Sequence, residues 1–167
     1  ADKIILPGVG AFRDAIEKLN NSGLVETIKE EAANGKPLLG ICLGMQLLFE
    51  KSYEYGEHEG LALLPGEICA IKDTLRDPNL KVPHMGWNSL EIKRAANPLI
   101  RSVANGAYVY YVHSYCAKTS AEHLVATSPY GIDIAGIVCK DNICGTQFHP
   151  EKSGAVGLKI LKNFGGL

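Results

Sequence analysis

The sequence predicts a mixed α/β domain, and three observations carry that expectation. Two short apolar runs, residues 3–6 and 38–41, each lead through a turn into apolar residues at helical spacing, the alternation of parallel strands covered by helices. The second half reads instead as short strands separated by turn residues. The 167 residues, 46% of them apolar, suit one domain with material for a packed core. The expected architecture is a largely parallel central sheet flanked by helices, one domain over residues 1–167.

The elements follow in order. Residues 3–6 (KIIL) form a buried strand closed by Pro7-Gly8-Val9-Gly10. Phe12, Ile16 and Leu19 recur at helical spacing until Asn21-Ser22-Gly23 ends the helix. A second helix covers 24–34, with Leu24, Ile28 and Ala32 on one stripe, Glu26, Lys29, Glu30 and Glu31 on a solvated face, and Gly35 as cap. Lys36-Pro37 leads to the strand 38–41, and residues 43–50 (LGMQLLFE) read as a helix. After a polar loop at 52–60, strands are expected at 68–72, 89–93, 107–113, 122–128, 134–140 and 143–147. Pro129-Tyr130-Gly131 and Asp141-Asn142 mark turns, and residues 155–164 close the chain as a helix carrying Val156, Leu158, Ile160 and Leu161.

Composition excludes several functions. Seventeen Lys and Arg against 18 Asp and Glu leave a net charge of −1 without a basic cluster, so neither nucleic acid nor an anionic membrane surface is an expected partner. The longest mostly apolar stretch, 37–49, contains Gln46 and falls short of the ~20 residues that span a bilayer. Five cysteines, an odd number without a paired repeat, argue against a disulfide framework and a zinc ribbon. They favour a reducing, cytoplasmic setting, with Cys69, Cys116, Cys139 and Cys144, which lack the glycine frame around Cys42, read as core or chemically bland residues. No metal or cofactor is expected. Ala1-Asp2-Lys3 runs straight into a strand with neither a secretory signal nor an initiator Met.

Chemistry concentrates at two places. The strand 38–41 runs into Gly40-Ile41-Cys42-Leu43-Gly44 and then a helix, the form of a nucleophile elbow. Such a turn needs small residues two before and two after the nucleophile. It lifts Cys42 over the first turn of a helix, where free amides and the helix dipole are expected to lower its pKa, and it aims the Leu43 N–H at a developing oxyanion. A thiolate nucleophile needs an acid–base partner, and His149 in Gln147-Phe148-His149-Pro150-Glu151 stands out. The following proline favours extended backbone, so His149 and Glu151 project to one side and the carboxylate can hold the imidazole tautomer. Pro7-Gly8-Val9-Gly10 lacks the third glycine of a dinucleotide loop, since Arg13 stands there. Its glycines leave the Val9 amide free to turn as an oxyanion donor.

At these residues the chain resembles the class I, triad-type glutamine amidotransferases. Gly40-Ile41-Cys42-Leu43-Gly44-Met45-Gln46 and Gln147-Phe148-His149-Pro150-Glu151 are close to the signatures of that family. Two further segments, Leu6-Pro7-Gly8-Val9-Gly10-Ala11-Phe12 and Val82-Pro83-His84-Met85-Gly86-Trp87-Asn88, are similar to the glutaminase subunits of imidazole glycerol phosphate synthases. The resemblance implies hydrolysis of L-glutamine to glutamate and ammonia, with Cys42 as nucleophile, His149 as proton relay, Glu151 orienting it, and Val9 and Leu43 as oxyanion amides. It places Gly10, Gln46, Glu54, His113, Ser114 and Tyr115 around the glutamine. It also implies a (β/α)₈-barrel cyclase as partner in histidine biosynthesis, touching Met85, Trp87 and Asn88 with Lys152 nearby, and a glutaminase that stays weak until that partner is bound.

Members of that family open with a strand, a helix and a second strand that here would precede Ala1. A chain without that unit is expected to be poorly stable or self-associating. The glutaminase component of another amidotransferase, a thiol peptidase or γ-glutamyl hydrolase with the same elbow, and a non-catalytic binding module with an idle triad remain alternatives.

Overall fold

The computed structural model describes residues 1–167. The first strand, β1 (Ile4–Leu6), is followed by two helices, α1 (Phe12–Asn21) and α2 (Val25–Ala33). Phe12 and Ile16 of α1, and Ile28 and Ala32 of α2, are the buried positions, as the helical spacing requires. Leu24 lies just outside α2 and is half exposed, so the stripe expected to include it begins one residue later.

The strand that carries the elbow, β2 (Leu38–Ile41), is buried throughout. It leads into α3 (Leu43–Leu47), and then β3 (Phe49–Ser52) and β4 (His58–Glu59) follow. The helix expected over 43–50 thus stops early. Its last carbonyls are taken from outside: the Leu61 amide donates to Leu47 O, and the Leu63 and Leu64 amides donate to Leu48 O. The apolar residues that continue the pattern serve a strand instead, a distinction periodicity alone cannot make in a short run.

Next come β5 (Leu64–Ala70) and a single helical turn, α4 (Ile71–Thr74), in place of the single strand expected over 68–72. The segment around Trp87 is itself a strand, β6 (His84–Ser89), and the strand expected at 89–93 shrinks to β7 (Glu91–Ile92). The remaining elements are β8 (Tyr108–His113), β9 (Tyr115–Lys118), β10 (Leu124–Pro129), β11 (Asp133–Lys140), β12 (Ile143–Thr146) and α5 (Gly154–Gly165). In α5, Ile160 and Phe164 face inward while Leu158 points to solvent.

Three sheets organise these strands. The central one has the order β1-β2-β12-β11-β10-β7 and is mixed: β1–β2 and β2–β12 are parallel, the other joins antiparallel. A second sheet runs β4-β3-β5-β9, and β6 pairs with β8 as an antiparallel ribbon. Each face of β2 feeds a different core. Leu38 joins Phe12, Ile28 and Met45 on the α1–α2 side, whereas Leu39 and Ile41 join Tyr111, Phe148, Ile160 and Phe164 on the α5 side. Covering both faces with helices fixes the carboxyl end of β2 as the rim where a ligand is met. No helix is long and apolar enough to cross a membrane.

The structure corrects the reading of the cysteines. Cys139 and Cys144 face each other across the β11–β12 hairpin and are joined as a disulfide, while Cys42, Cys69 and Cys116 are free. A count of cysteines without paired repeats does not reveal this bond, because the facing positions arise from hairpin register.

Candidate active site

Cys42 sits between β2 and α3 with φ 54° and ψ −111°, a backbone conformation that costs a non-glycine residue and persists only where its surroundings enforce it. They do so on both sides. The Cys42 amide donates to Thr146 O of β12 at 2.8 Å, and α3 starts at once, with the Gln46 amide donating to Cys42 O at 3.2 Å. The flanking glycines allow this: a Cβ on Gly40 would lie 2.7 Å from the backbone of Gly44 and Met45, and one on Gly44 would run into the Leu6 carbonyl.

A cavity of about 350 Å³ opens beside the sulfur. It is lined by Val9, Gly10, Cys42, Leu43, Gln46, Glu54, Pro83, Val112, His113, Ser114, Tyr115 and His149. Every residue expected to carry an oxyanion amide or to surround the substrate is among them. Pro83 and Val112 belong to β6's approach and to β8, and sequence reasoning missed both.

Within the cavity the side chains are not equally free. His149 and Glu151 meet, with Nδ1 and Oε1 2.8 Å apart, but not by the expected alternation along extended backbone. Only His149 is extended, and the short 3₁₀ turn Pro150–Lys152 brings the Glu151 carboxylate back to the ring. Nδ1 therefore carries the proton and Nε2 is left as the acceptor. Cys42 makes no hydrogen bond with His149; its one side-chain partner is Gln147, whose Nε2 lies 3.8 Å from Sγ. Gln46 donates through Nε2 to Tyr115 O at 3.2 Å and to Gln147 Oε1 at 3.1 Å, so only its carbonyl oxygen remains for a ligand. Both ring nitrogens of His113 are committed, to Tyr115 O and to His84, each at 2.8 Å, and its ring shapes the wall rather than offering a polar contact. Glu54 accepts the Phe12 amide at 2.9 Å, and its burial pushes its carboxyl above the ordinary value.

The electrostatics of the sulfur reverse one expectation. Burial is the largest influence and pushes the Cys42 thiol up to about 11, against the Leu43 amide, Lys152 and Gln147, which lower it, and with Glu151, which raises it. With only five residues in α3, the helix dipole does not offset removal from water. Cys42 rests as a thiol and needs a base at the moment of reaction. No group of three or more His, Cys, Asp or Glu side chains is arranged to hold a metal ion.

The ribbon beside the cavity has two faces. Met85 and Trp87 point outward, 61% and 57% exposed, and Trp87 meets Tyr110 edge to face. Asn88 is turned the other way: its Nδ2 donates to Pro129 O at 2.8 Å and to His84 Nε2 at 3.2 Å. Lys152 is exposed in the short helical turn after His149.

Comparison with known proteins gives consistent results. The family model "Glutamine amidotransferase class-I" matches residues 1–165. The chain is 54% identical over 164 residues to a protein of Listeria monocytogenes named "Imidazole glycerol phosphate synthase subunit HisH", covering 98% of this chain and 76% of that protein. A protein of the same name from Geobacter metallireducens is 54% identical over 167 residues, covering 98% and 79%. Among solved structures, PurLQS from Thermotoga maritima superposes with a TM-score of 0.70 at 17% identity, covering 99% of this chain and 79% of that one. The glutaminase domain of CTPS from Trypanosoma brucei gives 0.65 at 17%, covering 99% and 72%; both share the fold.

Proposed function

The chain belongs to the class I glutamine amidotransferase family, and on that premise we propose that it is the glutaminase subunit of an imidazole glycerol phosphate synthase. It hydrolyses L-glutamine to L-glutamate and ammonia and passes the ammonia to a (β/α)₈-barrel cyclase in histidine biosynthesis. The same reading places it in the cytoplasm, as one half of a heterodimer.

The chemistry follows from the geometry. The side-chain amide of glutamine lies in the cavity with its carbon against Sγ of Cys42. His149 takes the thiol proton on Nε2 as the sulfur attacks, and Glu151 holds the imidazolium through Nδ1. The amide oxygen gains charge and is met by the Leu43 and Val9 N–H groups, each such donor being worth about 10²–10³ in rate. Collapse breaks the C–N bond, His149 protonates the departing nitrogen, and ammonia leaves a glutamyl thioester. Water then attacks the thioester carbon while His149 takes its proton; the sulfur departs and is reprotonated, and glutamate is released. The outward face bearing Met85 and Trp87, next to Pro83 of the cavity wall, is where the cyclase docks, with Asn88 holding the ribbon from behind.

The observation that carries this reading is the strained Cys42, φ 54°, opening into the cavity that His149 shares. The test is glutamine hydrolysis with and without the cyclase, repeated on Cys42→Ala. Hydrolysis that rises with the cyclase and vanishes in the variant is the expected result. Turnover that survives in Cys42→Ala overturns the reading, and cleavage of γ-glutamyl peptides with none of glutamine would favour a thiol γ-glutamyl hydrolase.

A further inference from the structure

A sulfur removed from water needs donors aimed at it before it can hold charge, and the polarity of the hydrogen bonds behind Cys42 fixes where one such donor points. The Tyr115 carbonyl is the starting point, because a backbone oxygen can only accept. It receives His113 Nδ1 at 2.8 Å and the Gln46 side chain at 3.2 Å. The Gln46 atom facing it must therefore be Nε2. That same nitrogen lies 3.1 Å from the Gln147 side chain, so the Gln147 atom it meets must be the acceptor, Oε1. One orientation of the Gln147 carboxamide remains, and it turns Nε2 toward Cys42 Sγ at 3.8 Å. Nothing else competes for this group: Gln147 is fully buried, and Gln46 is 5% exposed.

We propose that Gln147 is a positioning residue for the nucleophile, its carboxamide locked by Gln46 so that a donor always faces the sulfur and favours the thiolate over the thiol. The proposal rests on the reading of Cys42 as the nucleophile. A donor facing sulfur stabilises S⁻ more than S–H, since bonds to a charged acceptor are the stronger ones, and the low dielectric around buried groups amplifies the difference. The lock matters as much as the donor. A freely rotating amide would present its oxygen half the time and repel the charge it is meant to support. Gln147 stands in the bend that follows β12, two residues before His149, and the two side chains reach the sulfur separately, Gln147 through Nε2 and His149 across the shared cavity.

Other charged and titratable groups face the same sulfur. His113, His149, Glu54 and Tyr115 share the cavity, and Glu151 and Lys152 act on the thiol from the turn beyond His149. A test must leave them untouched, which neutral substitution at position 147 does. Gln147→Met keeps the length and loses the donor. Gln147→Glu keeps the shape and the bond from Gln46 and replaces the donor by an acceptor, so one variant remains informative if the other fails to fold.

The readout is alkylation of Cys42 by iodoacetamide as a function of pH, followed by peptide mass mapping so that Cys69 and Cys116 are counted apart. With Gln147→Met, alkylation at pH 8 should fall about tenfold and the profile should move about one unit alkaline, the shift equivalent to that factor. Gln147→Glu should move it further. In glutamine hydrolysis with the cyclase present, kcat should fall by a similar factor and KM change less than about twofold, the pattern of an interaction lost from the reacting state rather than from binding. Profiles that coincide with the unmodified chain, or a raised KM with unchanged kcat, overturn the assignment. Cys42→Ser separates the two readings. If it still hydrolyses glutamine, the nucleophile assignment fails together with this one; if it is silent while the Gln147 variants alkylate normally, only the role of Gln147 is lost.

Discussion

His84 Nδ1 lies 2.8 Å from His113 Nε2, and the other partners of the two rings allow only one proton arrangement. His113 Nδ1 must donate to Tyr115 O, so its Nε2 accepts from His84 Nδ1, and His84 Nε2 in turn accepts from Asn88 Nδ2 at 3.2 Å. Both rings are thus neutral, and a proton on either nitrogen acceptor would set donor against donor. The ribbon strand whose outer face carries Met85 and Trp87 is tied by this chain to the backbone of the cavity wall.

The pair makes the fold sensitive to acid. Burial lowers His84 to about 4 and His113 to about 3, against an ordinary value of 6.5. Below pH 6.5 the unfolded chain takes up protons that the folded chain refuses, so the stability these rings contribute is complete above that pH and is lost as pH falls toward 4 and 3. Each group can add at most about 1.4 kcal/mol per pH unit over that window. Melting temperature should be flat above pH 7 and fall below 6.5. His84→Gln, which keeps a donor toward His113 without a titrating ring, should flatten the fall; an unchanged slope would refute the assignment.

Glu54 caps a helix to which it is not adjacent. Ala11 at the start of α1 offers no side-chain bond, and the Phe12 amide is satisfied instead by Glu54 Oε2 at 2.9 Å. Glu54→Ala should cost about 0.5–2 kcal/mol, the usual loss of a cap, lowering Tm by about 1–8 °C for a domain of this size. Because α1 begins directly after Val9 and Gly10, KM for glutamine should rise as well. Glu54→Gln keeps an acceptor and should recover most of the Tm; a variant as unstable as Glu54→Ala would contradict the capping role.

What could be read from the sequence divides along a physical line. The elbow and the candidate pair His149 and Glu151 were legible because their roles need particular residue types at fixed short spacing: glycine where a Cβ collides, and an acid two residues after a histidine, although a 3₁₀ turn rather than extended backbone joins the pair. The residues around the cavity came from family resemblance, since they are remote in sequence and no local spacing gathers them. The β6 strand was not legible, since Pro83, Gly86 and Asn88 look like turn residues until pairing with β8 supplies the hydrogen bonds. The early end of α3 depends on amides from residues 61–64, which local periodicity does not contain. Gln147 and His84 lie within motifs, yet nothing local singles them out, because each acts through partners remote in sequence. The high pKa of Cys42 escapes sequence reasoning for a related reason: elbow geometry is local, whereas burial is a property of the assembled core.

The Cys139–Cys144 bond gives a count that chemistry can check. Alkylation of the denatured, unreduced chain should mark Cys42, Cys69 and Cys116 and leave the hairpin pair unmodified until reductant is added. The bond closes a short loop already closed by β11–β12 pairing around Asp141 and Asn142. Replacing both cysteines by serine should therefore cost less than about 2 kcal/mol, because little further chain entropy is removed. Five reactive thiols before reduction would show that the bond does not form in solution.

Gly8 and Gly10 flank the Val9 peptide but constrain it differently, and substitution can separate them. Gly10 has φ +99° with nothing within 4 Å of a Cβ, so alanine there meets open space and costs backbone strain, about 1–2 kcal/mol. A Cβ on Gly8 would instead lie 3.2 Å from Leu43 Cβ and 3.3 Å from Gly44 N, wedging the loop away from the turn that carries the nucleophile and the Leu43 amide. If Val9 must swing its N–H toward the substrate oxygen when the cyclase binds, the wedge acts on that motion. Gly8→Ala should then reduce cyclase-stimulated glutamine hydrolysis about tenfold, part of the 10²–10³ that a whole oxyanion donor supplies, while the unstimulated rate changes less. Equal loss in both states would mean that the wedge distorts the resting site, and undiminished stimulation would mean that the Val9 peptide is not the element the partner moves.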